Sequence, residues 1–488
     1  MSNKKRILIV GGGTAGTVIL NDLYEYFDVT VLEQNQYRRL PFYYRIPLSI
    51  GLLFSRQNNY VKKFNFYSSN KRPIPFFQSN CLGGASVING SVHVIGSLSI
   101  WNNLFKRFSL DREIFFELYD AVFSKSNKKK RIRLKAQSPD MLDEAFYKSM
   151  GIYSVRRGDS EFFNHASCGP IWNTVKSFSR SSVLDLSPNR MGAVKSSVTV
   201  DTIEIQDGAV KGVWVDNQLI DAEIVILSAG VVGTNKLLSR IAEKLIPEPS
   251  QKKISGIKDH TNIRINVRSK QSIFSLNQIN LPILKKIQFF LKNRKKIFSI
   301  MRGSGASSAA NIDLYGNGEI SLRVNLLRFH ESGRLGSSGE LFDNSDTGFS
   351  LSLTQINPIS QGFINQDGDV NPGYLSAPED IQFLKDALIY AIKLLQTPAL
   401  SEYVEEIIDL EEILNDPEGY IKKNFYSGYH LIGGASDLID SDFNFKGVDG
   451  LYVCDASVLA EYPSSNIHSS VVLIAKAFSE KLIDKYFG

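Results

Sequence analysis

The sequence predicts an α/β fold whose first unit is Rossmann-like, and three observations carry this prediction. Its 488 residues are 43% hydrophobic and 22% charged, which is typical of a globular protein long enough for two large domains. Residues 6–33 contain a strand, a glycine-rich loop, a helix and a second strand in that order. A strand followed by a helix recurs at residues 222–238 and again at residues 447–487.

The N-terminal segment has the layout of a dinucleotide-binding unit. Residues 6–10 predict a buried strand, residues 11–16 match the pattern G-x-G-x-x-G, and a helix is predicted to about Tyr26. Residues 28–32 predict the second strand, which ends at Glu33. A carboxylate at that place accepts hydrogen bonds from ribose hydroxyls and disfavours a 2′-phosphate. This unit by itself leaves NAD and FAD open.

Each residue of the glycine-rich loop has a physical task. Gly11 permits a tight turn, Gly13 lets the backbone approach a pyrophosphate, and Gly16 allows the helix to pack closely on the strand. Thr14 and Ala15 begin the helix, so free N–H groups and the positive dipole end are offered to phosphates. We therefore expect this loop to bind the pyrophosphate of a dinucleotide.

Further motifs follow in order along the chain, and each is common by itself. They are a second small-residue loop at 82–90, strands at 197–200 and 212–215, a strand and tight turn at 222–230, a helix beginning at 231–238, a strand ending in Asp455 within 447–458, a loop at 461–466 and a helix at 467–487. The glycines of the second loop permit the backbone to lie against a flat ring or a phosphate. The order of the whole set is more informative than any of its members.

In that order the motifs resemble the glucose–methanol–choline (GMC) family of FAD-dependent oxidoreductases, and the resemblance covers essentially the whole chain. The residues that carry it are 11–16 with Glu33, 82–89, 228–230, 233–238, Asp259-His260, 357–362, 371–375, 429–434, 455–457 and Asn466. Residues 357–362 and 371–375 resemble strands of the family's substrate domain. Gly434 and Ile467 depart from the Thr or Cys and the Pro that are usual in the family at these places.

The resemblance implies that a discontinuous Rossmann-like FAD-binding domain carries an inserted substrate domain made of an antiparallel sheet and helices. The FAD-binding domain is expected to comprise residues 1–40, 75–140, 185–260 and 440–488. The substrate-binding domain and connecting segments are expected at 41–74, 141–184 and 261–439. Within the latter, 311–314, 319–327 and 348–355 alternate as strands do, and 377–395 has helical periodicity.

The resemblance also implies the cofactor site. The residues expected to bind FAD are Gly11, Gly13, Thr14, Ala15, Gly16, Glu33, Gly83, Gly84, Ser86, Asn89, Val200, Ala229, Asp455, Ala456 and Asn466. Among them Asn89 and Asp455 are expected near the flavin, and the backbone of Val200 near the adenine. Family members with covalent flavin often attach it through a histidine in the second loop. Ile88 stands there in this sequence, which predicts noncovalent FAD. The cysteines have no metal-ligand spacing, so no metal site is predicted.

Histidine is the side chain whose pKa best suits removal of a hydroxyl proton near neutral pH. By resemblance His430 is the general base, and Asn466 is the catalytic neighbour that holds the substrate oxygen. Asn466 immediately precedes a helix, whose positive dipole end would favour an anionic group. His468 competes with His430, but an offset of two residues from Asn466 in a helix directs it to another face. His93 and His260 are interpreted as structural.

The function implied is an alcohol oxidase or dehydrogenase that oxidises a CH–OH group to a carbonyl by hydride transfer to flavin N5. Its partners would be a small-molecule substrate and O2 or another electron acceptor. Two alternatives stay open. One is a flavoenzyme of the same fold in specialised biosynthesis that performs C–N oxidation, lyase chemistry or decarboxylation, and the other is an electron-relay subunit.

Charge and cysteine content bear on partners and location. The net charge of +6 is too small over this length to indicate nucleic acid as a partner, and three widely spaced cysteines predict a reducing, cytoplasmic location. Residues 282–297 combine apolar residues at helical spacing with lysines and arginine. The ordinary interpretation is a helix packed on the protein's own core. The alternative is weak docking on a membrane surface or an acidic carrier protein.

Overall fold

The structure is a computed structural model. It describes residues 4–55, 58–67, 72–126, 131–158, 162–163, 165–186, 189–245, 253–270, 273–331, 347–365 and 367–488. Residues 128–135 form a basic run in the sequence, for which a solvated loop or helix is the ordinary interpretation, and residues 128–130 lie outside this set.

A parallel sheet forms the centre of the nucleotide-binding part. Within the described residues it has five strands, in the order Val194–Ser196, Asp28–Glu33, Arg6–Val10, Ile224–Leu227 and Leu451–Val453. Buried aliphatic side chains run continuously along the inner strands, as expected when both faces of a parallel sheet are covered. Helices Thr14–Leu23 and His468–Phe487 pack against each other, and Gly230–Leu245 follows the fourth strand. The predicted α/β, Rossmann-like fold is therefore confirmed.

Some predicted elements are misplaced by a few residues. The strand predicted at 197–200 is wrong, since the chain leaves the sheet after Val194–Ser196, where Ser197 has a φ of 62°. The stretches 357–362 and 371–375 are also mostly not strands. Short strands occur next to them at Gly362–Asn365 and Val370–Asn371, and the prolines at 358 and 372 have no N–H group for sheet bonds.

The second large sheet is mainly antiparallel. Its strands run in the order Val404–Ile407, Thr261–Ser269, Gly348–Gln355, Leu322–Leu327, Ala306–Ile312, Ser167–Pro170 and Arg156–Arg157, and Tyr426–Ser427 also pairs with Thr261–Ser269. Helix Pro378–Leu395 covers the sheet and helix Met141–Ile152 packs near its far edge. The strand predicted at 348–355 and the helix at 377–395 are confirmed, while those at 311–314 and 319–327 are shifted to Ala306–Ile312 and Leu322–Leu327. The boundaries between the two domains stay a prediction.

Smaller elements complete the described chain. The other strands are Val61–Tyr67, Pro73–Ser79, Val92–His93, Gly96–Ser97, Phe123–Ser124, Ile132–Ala136, Phe162–Phe163, Trp172–Lys176, Ser179–Arg180, Thr202–Gln206, Ala209–Val215, Gln218–Asp221 and Lys253–Ile257. The other helices are Ile50–Ser55, Ala85–Ile88, Leu98–Arg107, Arg112–Val122, Ile283–Ile300, Pro398–Ser401, Leu410–Asn415 and Pro417–Asn424. Over the described ranges, none of the helices combines the length and hydropathy needed to cross a bilayer.

A buried ion cluster joins three elements of the second domain. Asp143, with a fully buried side chain, accepts hydrogen bonds from Arg328 Nη2 at 2.6 Å and from Lys296 Nζ at 3.0 Å. The hydroxyls of Ser307 and Ser308 donate to the same carboxylate at 2.6 and 2.7 Å. Burial alone would raise the pKa of Asp143, but the two cations and the hydroxyls hold it below its usual range. The carboxylate thereby ties helix Met141–Ile152 to helix Ile283–Ile300 and strand Ala306–Ile312.

We expect Asp143→Asn to lower the free energy of unfolding by about 3 kcal/mol, because Arg328 and Lys296 lose their most buried counter-charge. The measurement is urea-induced unfolding followed by circular dichroism. The matched control is Glu144→Gln on the same helix, whose pair with Arg157 is exposed and should contribute less than about 1 kcal/mol. Equal unfolding midpoints for the two variants would contradict this assignment.

Candidate functional site

A cavity of about 490 Å³ opens at the carboxyl ends of the parallel strands, where ligands bind in folds of this kind. Most of the site residues predicted from the sequence line it. They are Gly11, Gly13, Thr14, Ala15, Glu33, Gly84, Asn89, Val200, Ala229, His430, Asp455, Ala456 and Asn466. Gly16, Gly83 and Ser86 do not line the cavity. They contact the backbone of the two glycine-rich loops that do.

The two glycine-rich loops meet backbone to backbone. The Gly83 N–H donates to the carbonyl of Gly12 at 2.7 Å, and a Cβ added to Gly84 would lie 2.8 Å from the Cα of Gly13. A Cβ on Gly16 would lie 2.0 Å from the carbonyl oxygen of Gly11. Because the obstructing atoms are backbone, no side-chain rotation relieves these contacts. The Ser86 hydroxyl holds the second loop by donating to Gly83 O at 2.7 Å.

One end of the cavity fits the phosphates and ribose of a dinucleotide. Helix Thr14–Leu23 starts at Gly13, which has no side chain to cap the first N–H groups, so the helix N-terminus is presented to the cavity. Glu33 is 4% exposed, and its two oxygens accept from the N–H groups of Gly12 at 2.7 Å and Asn35 at 2.8 Å. Burial raises the pKa of Glu33. Its remaining lone pairs can accept hydroxyl hydrogens.

A carboxylate connects the fourth and fifth strands of the parallel sheet next to the cavity. Asp455 Oδ2 accepts from the Gly230 N–H at 2.9 Å and the Thr234 hydroxyl at 2.6 Å, and Oδ1 accepts from the Ser457 N–H at 2.8 Å. Burial raises the pKa of Asp455 while these donors oppose the shift. The adjacent wall also includes Lys236, on helix Gly230–Leu245, which the sequence did not single out.

At the opposite end His430 and Asn466 meet. The Asn466 amide Nδ2 lies 3.2 Å from His430 Nε2, although 36 residues separate them in the chain. His430 Nδ1 faces away from the cavity and lies 3.1 Å from His260 Nδ1. Asp259 Oδ1 accepts the backbone N–H groups of both His260 and His430, at 2.9 and 2.8 Å, which places the two residues next to each other. Their rings meet edge to face, with centroids 5.3 Å apart.

The hydrogen-bond partners define the tautomers of both histidines. His260 Nε2 lies 2.8 Å from the carbonyl oxygen of Ile356, which can only accept, so this nitrogen carries the proton. Burial, and then the neighbouring His430, lowers the pKa of His260 well below its usual value, so its Nδ1 has a lone pair. His430 Nδ1–H therefore donates to it, which leaves His430 Nε2 unprotonated at the cavity. Burial also lowers the pKa of His430 to about 4.

Two of the other histidines, His468 and His260, differ from the expectation. His468 was expected to face away from Asn466, but it lines the same cavity, and both of its buried ring nitrogens lack a partner among the described residues. Burial lowers its pKa to about 4. These nitrogens fit a polar group held in the cavity. His93 instead lies away from the cavity wall, and its Nδ1 is 2.8 Å from the Ser469 hydroxyl, a contact that suits a structural histidine. His260, which was interpreted as structural, contacts His430 directly.

An aromatic cluster that the sequence did not indicate lines the cavity beside His430. Phe54 and Phe77 stack with ring centroids 4.2 Å apart, and Tyr429 lies 5.8 and 5.7 Å from them. The rings come from three separate segments, so no local pattern brings them together. Ile50 and Phe76 extend this apolar wall. A ligand group next to His430 therefore meets aromatic surface.

Comparisons with known proteins agree with this geometry. A family model described as GMC oxidoreductase matches residues 358–475. An oxygen-dependent choline dehydrogenase of Chromohalobacter salexigens is 22% identical, covering 99% of this chain and 94% of that protein. An alcohol dehydrogenase [acceptor] of Pseudomonas putida is 22% identical over 98% and 95% of the two chains. A formate oxidase structure superposes with a TM-score of 0.82 at 16% identity, covering 100% of this chain and 99% of that one.

We expect His430 and His260 to stay neutral at pH 7, with protons on Nδ1 and Nε2 respectively. The reason is that burial depresses the pKa of both rings and Ile356 O fixes the order of donors. Long-range ¹H–¹⁵N spectra of protein labelled at its six histidines measure both properties, with signals assigned by substitution.

The matched variant is His260→Phe, which keeps a flat ring but removes the acceptor for His430 Nδ1–H. The His430 signals should then shift towards a mixture of tautomers. A proton on His430 Nε2 in the unsubstituted protein at neutral pH would contradict the hydrogen-bond order described above.

Proposed function

We propose that this protein is a member of the GMC oxidoreductase family and an FAD-dependent enzyme that oxidises the CH–OH group of a small-molecule alcohol to a carbonyl. The observation that carries the proposal is the position of His430 at the cavity, with its Nε2 3.2 Å from the Asn466 amide and its Nδ1 3.1 Å from His260 Nδ1. A neutral imidazole nitrogen in that position can accept the hydroxyl proton. The amide N–H of Asn466 can hold the same oxygen.

The residues present fit FAD. Helix Thr14–Leu23 would hold the pyrophosphate at its N-terminus, Glu33 the ribose hydroxyls and the backbone of Val200 the adenine. The residues that would border the flavin are Gly84, Asn89, Ala229, Asp455, Ala456 and Asn466, and His468 supplies two buried nitrogens for its polar edge. Bound there, FAD supplies the acceptor for the hydride. Ile88 leaves the loop without a histidine for attachment, which supports noncovalent binding.

His260 stabilises the proton after it has been transferred. When His430 Nε2 gains a proton, the ring becomes cationic and its Nδ1–H bond to His260 becomes charge-assisted, hence stronger. His260 can accept this bond only in the tautomer that Ile356 O imposes. It is thus a positioning residue, and Asp259 aligns the backbone of both histidines.

The aromatic cluster supports a substrate class. Phe54, Phe77 and Tyr429 form an uncharged wall beside His430, and such faces bind apolar or aromatic bodies in stacked or edge-on arrangements. We therefore propose primary alcohols that carry an aromatic or bulky apolar group. Quaternary ammonium alcohols such as choline are the nearest competitor, since aromatic faces also attract cations.

Replacement of His430 by alanine should slow anaerobic flavin reduction by about 10² to 10⁴-fold, because the hydroxyl proton loses its acceptor. Stopped-flow absorbance of the flavin measures the rate, and the ratio of flavin to protein absorbance should stay unchanged. His165→Ala, at an exposed histidine, is the control and should leave the rate as it is. Full reduction rates in His430→Ala would overturn the assignment of the base.

A substrate panel tests the class of reaction and of alcohol together. We expect anaerobic bleaching of the flavin by benzyl alcohol to be faster than by ethanol or choline, with benzaldehyde as product. Phe54→Leu should raise KM for benzyl alcohol about fivefold through loss of ring stacking, with little change for ethanol.

The outcomes separate the proposals. Faster reduction by choline would contradict the substrate class but keep alcohol oxidation. A turnover without any carbonyl product would favour a different flavin reaction, and reduction by a protein donor alone would favour an electron-relay subunit. Admission of air after bleaching reports whether O2 or another acceptor reoxidises the flavin.

A further inference from the structure

Helix Ile283–Ile300 exposes a row of large apolar side chains to solvent. Ile283, Leu284, Ile287 and Leu291, which we call the outward stripe, are 74%, 76%, 51% and 70% exposed. The interpretation that the apolar residues of this segment pack on the protein's own core is therefore wrong for these four. Exposed apolar patches of this kind mark interaction sites more often than ordinary surface.

The outward stripe is distinct from the face that packs inside. Its residues lie within an arc of about 100°, since successive residues turn by about that angle around the helix. Phe289 follows Ile287 by two residues and therefore lies on the opposite side, where it is buried. Ile297 and Ile300, beyond a kink at Asn293, are buried in the same core cluster. The helix thus has one apolar face that packs on the core and a second apolar face, the outward stripe, that is exposed to solvent.

The charge beside the stripe has a single sign. Residues 282–301 contain six lysines and arginines and no aspartate or glutamate. Lys296 turns inward to Asp140 and Asp143 and holds the helix in place. The other five, Lys285, Lys286, Lys292, Arg294 and Lys295, form no ion pair with any residue that the structure describes, and all of them except Lys286 are exposed.

We propose that the outward stripe docks on the surface of a bilayer that contains anionic phospholipid. Aliphatic side chains would enter the boundary between headgroups and acyl chains, while the flanking cations meet the phosphates. Like charge on both copies disfavours pairing of two such helices in a symmetric dimer, so a second copy of this chain is a poor occupant.

The place of the helix suggests what docking provides. The core cluster under its inner face includes the partly buried Leu48 and Val92, and Val92 also lines the cavity. The apolar cluster on the inner side of the helix therefore extends to the cavity wall. Docking does not depend on the proposed function, but an apolar alcohol dissolved in the bilayer would be concentrated near the site.

Cosedimentation of the purified flavoprotein with lipid vesicles tests the proposal. We expect binding to vesicles of mixed phosphatidylcholine and phosphatidylglycerol, and at least about tenfold weaker partitioning to pure phosphatidylcholine or at high salt. Leu284→Ser with Leu291→Ser should reduce partitioning by about tenfold or more. Lys285→Glu with Lys292→Glu should do the same without changing flavin content.

The control pairs Leu414→Ser with Lys393→Glu, two exposed positions on other helices, and should bind vesicles as the unsubstituted protein does. Equal binding by all variants, or no preference for anionic vesicles, would overturn the proposal. Sedimentation velocity of the unsubstituted protein without lipid adds a second readout. A dimer that is lost in Leu284→Ser with Leu291→Ser would assign the stripe to a second copy and also overturn it.

Discussion

The site depends on how closely two stretches of backbone approach each other. The loop around Gly13 and the loop around Gly84 pass with less room between them than one methyl group needs, and a hydrogen bond from Gly83 to Gly12 fixes their separation. This contact fixes the position of both loops at the cavity. Helix Thr14–Leu23 begins directly after the first loop, and Asn89 follows the second. A rigid floor made of main chain presents N–H groups to a ligand without side chains that must first be ordered.

The opposite wall of the cavity holds His430 and His260. There the imidazole of His430 has to stay unprotonated at Nε2 and correctly oriented in a buried environment. Burial drives both imidazoles to the neutral form, but neutrality leaves the choice of tautomer open. A backbone carbonyl determines the tautomer. Because Ile356 O can only accept, His260 carries its proton on Nε2, and its Nδ1 then accepts the proton of His430 Nδ1–H. The buried carboxylate of Asp259 accepts the backbone N–H groups of these two histidines and not their ring N–H groups. It therefore orients the residues without removing a ring proton.

Local sequence patterns predicted the parts of the site that local geometry dictates. The glycines, Glu33 and the N-terminal strand and helix lie where the pattern placed them, because turn and packing constraints act within a few residues. His430 and Asn466 came from a resemblance over the whole chain. His260 and the rings of Phe54, Phe77 and Tyr429 could not be foreseen, since strand pairing of Thr261 with Ser427 and the packing of distant segments bring them together. The same holds for the outward stripe, because periodicity shows an apolar face but not whether it is covered.

The order of strands in the parallel sheet has a consequence for how the protein is made. Strand Leu451–Val453 pairs with Ile224–Leu227, and most of the antiparallel sheet, from Thr261–Ser269 to Tyr426–Ser427, is encoded between them. During synthesis the N-terminal strands therefore emerge long before their last partner. Until Leu451–Val453 is made, the edge of strand Ile224–Leu227 is unpaired. The intervening domain can fold in that interval, since its own strands pair among themselves. Asp455 and Asn466, which line the cavity, follow strand Leu451–Val453, so the cavity wall is completed only at the end of synthesis.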